Sequence, residues 1–131
     1  MIQIQVSAGE LLDKITILEI KNERISDPKK LINVRKELAS LKAENPFDLN
    51  NRTELSALLE ELRMVNRNLW DIEDQIRTCE NISDFGDTFV QLARSVYIQN
   101  DARADIKKRI NILTKSNLTE EKSYAPYQQY L

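Results

Sequence analysis

Six carboxylates stand where helical spacing would let them act together. Glu19 and Glu23 are four residues apart, as are Asp101 and Asp105, and Glu73 and Asp74 are adjacent. Acids at i and i+4 share a helix face and repel by about 0.2–0.5 kcal/mol unless a cation sits between them. Lys21, Arg24, Arg103 and Lys107 lie close enough in sequence to be that cation and to build cross-helix networks. The other candidate is Mg²⁺, which prefers carboxylate oxygens and retained water, and the chemistry would then be that of a Mg²⁺-dependent nucleotide hydrolase. Against this, no Glu-Glu-x-x-Glu element followed by Glu-x-x-Asp is present, and Gly9 and Gly86 stand alone rather than in a phosphate-cradling loop. The six acids are weak metal candidates, and no metal or cofactor is expected.

A second group lies on the last helix-forming stretch. Its apolar stripe (Phe85, Phe89, Leu92, Val96, then Ile106, Ile110, Leu113) is broken by Gln99 and Arg103, with Asn100 beside them. If this stretch folds back on the preceding one through a short loop, Asn66 faces Asn100, Glu61 faces Arg103, and Trp70 faces Arg94. An unpaired buried guanidinium costs several kcal/mol, so Arg103 must find an acid. Such a layer fixes helix register; the sharper reading makes it the wall of a ligand pocket.

Absences bound the function more firmly. The chain has no histidine, which removes His-based triads, most zinc sites and the Glu-x-x-His signature of di-iron bundles. Cys79 is its one cysteine, read as a small buried hydrophobe in a reducing compartment. A net charge of −2 argues against nucleic acid, and Lys29-Lys30 and Lys107-Lys108-Arg109 sit among acids on helices. No apolar run approaches the roughly 20 residues of a membrane span. Met1-Ile2-Gln3-Ile4-Gln5-Val6 has neither the basic cap nor the long apolar core of a secretory signal, so the cytoplasm is the expected compartment.

These side chains must be positioned by helices. The 131 residues contain two glycines and three prolines, with long stretches of good helix formers between them. Residues 1–6 alternate apolar and polar and predict one short strand, which needs a partner from a second subunit or from the tail. Helices are predicted over 8–26, 28–44, 52–81 and 84–115, leaving 116–131 as a tail. Ser7 with Glu10 forms a capping box. Asp27 caps ahead of Pro28, Asn51 to Glu54 repeats the box spacing, and Ser83-Asp84 opens the last helix. The first helix carries Leu11, Ile15, Leu18 and Ile25, widened by Leu12, Ile17 and Ile20, a stripe broad enough for more than one neighbour. From Leu55 through Leu58, Leu62, Val65, Leu69, Ile72 and Ile76 to Cys79 the apolar steps are three and four, a coiled-coil-like seam about 40 Å long. In the tail, Thr119 to Lys122 suggests a short helical turn. Tyr124, Tyr127 and Tyr130 imply docking on the bundle or on a neighbour rather than a free end.

Four blocks carry a resemblance. Residues 7–21 (SAGELLDKITILEIK), 65–74 (VNRNLWDIED), 93–101 (ARSVY with Asn100-Asp101) and 121–124 (EKSY) resemble an uncharacterised bacterial family, a domain of unknown function, over nearly the whole chain. The resemblance implies no assigned activity and carries over no functional residue. It does imply an accessory role in a surface-polysaccharide or glycosyltransferase setting. The chain is thus read as a single all-α domain, two antiparallel helical hairpins with a short N-terminal strand and a docked tail. The function expected is a non-catalytic interaction or assembly module, a homo-oligomer and most simply a dimer, whose protein partner the sequence does not name.

Overall fold

A computed structural model describes residues 1–128 of the chain. Four helices account for its core: α1 (Ala8–Arg24), α2 (Pro28–Glu44), α3 (Thr53–Asn81) and α4 (Asp87–Leu113), with a 3₁₀ turn at Leu49–Asn51 between α2 and α3. The fold is an all-α bundle, as the periodicity predicts.

Helix α1 is the centre of the molecule. It packs against α2 on one side and against both α3 and α4 on the other, whereas α2 approaches no other helix. The broad stripe of α1 is the cause. Leu12, Ile15, Leu18 and Ile20 are all buried, and so are Asp13 and Thr16 on the flank turned to the long hairpin. From α2, Val34 and Leu38 join the core; from α3 come Leu55, Leu59 and Leu62, and from α4 Ile106 and Ile110. Leu59 is buried although it lies outside the predicted seam, because α1 adds a second contact face to α3.

The ends of the helices follow local chemistry. The Ser7 hydroxyl accepts from the Glu10 amide at 3.1 Å, and the Asp27 carboxylate accepts from the Lys29 amide at 3.0 Å, with Pro28 in the first turn. The second capping box is not formed. Helix α3 begins after Arg52, which caps with no side-chain bond, and the Asn51 side-chain amide donates to Asp48 instead.

The start of α4 corrects the expectation of a cap at Ser83-Asp84. Ser83 has φ 54°, a left-handed conformation. Its amide donates to Glu80, and the Asp84 amide donates to the Cys79 carbonyl, the pair of bonds that closes a Schellman motif. These residues therefore finish α3, and α4 opens three residues late, at Asp87. The same closure ends α4, with Lys115 at φ 55° and the Ser116 amide on the Asn111 carbonyl.

Two further expectations are corrected. Residues 1–6 form no strand, and no strand occurs among the described residues; a lone strand has no backbone partner here, and Ile2 and Ile4 lie exposed. Thr119 to Lys122 form no helical turn, since the tail runs without regular structure from residue 118 to 128. Tyr130 lies outside the described residues.

Candidate functional site

The site is built on the fully buried carboxylate of Asp13, one turn into α1. Its Oδ1 accepts from Asn66 Nδ2 of α3 at 2.9 Å and from Arg103 Nε of α4 at 3.0 Å. A second guanidinium nitrogen, Arg103 Nη2, bonds Oδ2, making the pair two-pronged. Thr16 closes the ring: its hydroxyl accepts from Asn66 at 2.9 Å and donates to the Asp13 carbonyl at 2.7 Å.

One turn along α4, the largely buried Lys107 ammonium extends the cluster. It donates to Glu10 at 2.7 Å and to Glu120 of the tail at 2.8 Å, and lies 3.8 Å from Asp13. The hydrogen bond to Asp13 holds the Arg103 guanidinium even further above neutrality than usual, against the pull of burial. For Lys107, burial favours the neutral amine, but Glu10, Glu120 and the charge of Asp13 outweigh it and raise its pKa. Lys107 in turn holds the Glu120 carboxyl below the usual carboxylate range. No buried side-chain nitrogen or oxygen among the described residues lacks a partner.

The N-terminus of α1 is locked beside this cluster. The Gly9 amide donates to Asn111 Oδ1 at 2.7 Å and the Ala8 amide to Ser116 Oγ at 3.3 Å. With the Ser7 cap, three of the amides that a helix start leaves open are filled by side chains. Glycine is required at position 9, since a Cβ there would lie 2.6 Å from the Lys107 carbonyl oxygen. The contacts of Gly9 with Asn111 and of Asp13 with Arg103 also fix α1 antiparallel to α4.

The tail returns along α4. After Glu120, Glu121 meets Lys108 at 3.8 Å, and the Tyr127 hydroxyl donates to Asp101 at 2.7 Å while its ring packs edge-on against Tyr97, centroids 5.1 Å apart. Between tail and helix runs an open groove of about 670 Å³, lined by Val96, Tyr97, Asn100, Lys122, Tyr124 and Pro126 among others.

Sequence reasoning finds part of this. Arg103 meets an acid, but the acid is Asp13 rather than Glu61, which pairs with Arg109 at 3.5 Å. The late start of α4 shifts the hairpin register and moves Glu61 past Arg103. Asn66 is in the layer, yet its amide turns to α1 instead of Asn100, and Asn100 lines the groove. Trp70 is half-buried on α3, and the Arg94 guanidinium bonds Gln91 of its own helix at 3.3 Å. Lys107 builds a cross-helix network as expected, whereas nothing in the sequence reading places Asp13, Thr16, Glu10 or Glu120 in this site. The available signal was an acid, Asp13, inside the widened stripe of α1, where burial demands a cation.

The six acids of the metal reading are dispersed. Glu19 pairs with Arg63 at 3.0 Å, Glu23 with Arg67 at 3.3 Å and Asp105 with Arg109 at 3.2 Å. Glu73 bonds Arg77, and Asp101 accepts from Tyr127. Asp74 stands on the exposed face of α3. Among the described residues no three acids or thiols are grouped to hold an ion.

Fold and site together define an all-α protein in which a central helix is clamped to a long helical hairpin by an ion cluster. The chain belongs to the family of unknown function DUF6165, whose model matches residues 2–128. No curated protein and no solved structure matches it. Among the described residues no helix is long and apolar enough to cross a membrane.

Proposed function

We propose that this chain is a non-catalytic assembly module that self-associates through the outer half of its α3–α4 hairpin. The observation carrying this reading is that the hairpin outruns the rest of the fold. The last residue of α1, Arg24, pairs with Asp71 at 2.7 Å, but α3 continues to Asn81 before the chain turns back. Beyond Asn66 on α3, and before Ile106 on α4, the one buried side chain of the two helices is Cys79. Leu69, Ile72, Ile76, Phe89, Leu92 and Val96 are only half-buried, while Ile82 and Phe85 at the turn are 69% and 53% exposed. Two helices cover each other on one side only, and an apolar seam left open along the other side marks an association surface.

The ion cluster supports a structural role over a catalytic one. A general acid or base works with a pKa near the operating pH. Here the groups that shift move away from neutrality, Arg103 and Lys107 upward and Glu120 downward. Light scattering on an eluting peak is expected to give twice the 15.3 kDa chain mass; a monomer at high concentration overturns the reading. Saturable Mg²⁺ binding with nucleotide turnover would favour the hydrolase alternative.

The tyrosine-lined groove favours a second reading, the accessory role in a polysaccharide setting. Aromatic faces beside an amide, a carboxylate and an ammonium suit a polyhydroxylated ligand. Saccharide titration followed by tyrosine fluorescence tests it, and Tyr97→Ala should abolish any signal.

A further inference from the structure

We infer that two copies associate antiparallel, each hairpin turn seated against the basic corner between α1 and α2 of the other copy. This rests on the self-association reading and adds the surface and its polarity. Between residues 71 and 90 the sequence carries six acids and a single cation, Arg77. Of these acids Glu80 and Asp87, at the turn, have no ion-pair partner among the described residues, and Arg77 is already bonded to Glu73. Between residues 28 and 36 stand four cations and no acid. Lys29 and Lys30 are exposed and form no ion pair among the described residues, and Arg35 has only the Asn22 amide oxygen, at 3.0 Å. One chain thus presents two unsatisfied poles of opposite sign.

Each pole carries exposed apolar surface: Ile82 and Phe85 at the turn, and Ile32, 67% exposed, on α2. The poles do not meet within the chain, because α2 approaches α1 alone. The shape explains how they meet between chains. The hairpin extends past Arg24 by about ten residues of α3, roughly 15 Å, leaving a step beside the α1–α2 corner. A second hairpin laid antiparallel in that step covers both open seams and brings its acidic turn to the corner. A parallel arrangement would place acid against acid, which opposes association.

Charge reversal on both sides tests this on the full chain. Glu80→Lys with Asp87→Lys, and separately Lys29→Glu with Lys30→Glu, should each weaken the dimer about tenfold at low salt. All four substitutions in one chain should restore it. The sites are exposed, and thermal melts confirm that each variant folds. If wild type is monomeric, the assembly reading itself falls. If wild type is a dimer that ignores both reversals, or that the combined variant fails to restore, self-association stands and the antiparallel seating is overturned.

Discussion

The Asp13 carboxylate has no exposure at all, and a lone ion in that position would be strongly destabilising. It is tolerable because Arg103 grips both oxygens and Asn66 donates to one of them. The consequence is asymmetric. Removing Arg103 strands the Asp13 carboxylate in a dry place, whereas removing both removes the problem. Arg103→Met should therefore cost about 3–5 kcal/mol, because it leaves the sealed Asp13 carboxylate without its cation, read as a lower midpoint in urea unfolding. Adding Arg103→Met to Asp13→Leu should lose markedly less than the two single changes added together. Strict additivity would mean that the pair is not coupled. From sequence, the need of Arg103 for an acid was legible, since the arginine interrupts an apolar stripe. The identity of that acid was not. It depends on how α1 is laid against α4, some 90 residues away, and no local pattern encodes that register.

At the scale of elements, the helices were legible because they obey local rules. Ser7 and Asp27 cap as their types require, and the three-and-four stepping from Leu55 to Cys79 defines one continuous helix. The helix ends that escaped reading are those where an unusual residue does the work. Both long helices close through a left-handed position, and glycine is the usual occupant; here they are Ser83 and Lys115. A serine followed by an aspartate signals a helix start more strongly than a stop, so the boundary was displaced and the hairpin register with it. The same geometry gives a stabilising substitution. Glycine removes the steric cost of the left-handed backbone, which outweighs its extra unfolded-state freedom. Ser83→Gly and Lys115→Gly should each raise stability by about 0.5–1 kcal/mol, seen as a higher melting temperature. A fall at either position would show that the side chain there is needed for more than the turn.

For the whole molecule, the tail is the part most exposed to solution conditions, because it is held by side chains rather than by regular backbone bonding. Glu120 and Tyr127 fix it to Lys107 and Asp101. The pKa shifts define when that attachment holds. Lys107 lowers the Glu120 carboxyl below its ordinary 4.5, so this contribution is present above pH 4.5 and is lost as pH falls through the depressed value. Lys107 is raised above its ordinary 10.5, so its contribution is present below pH 10.5 and is lost as pH rises through the raised value. Between these limits both charges persist, and the chain has no histidine to titrate there. The docked tail should therefore give unchanged hydrogen-exchange protection factors and tyrosine fluorescence from pH 5 to pH 9. As pH falls through the depressed Glu120 value, the tail should loosen from Lys107. A transition of the tail near pH 6–7 would contradict this, since neither Glu120 nor Lys107 changes charge there. The attachment is thus a fixed clasp over α4, and regulation by acidity would have to act elsewhere in the molecule.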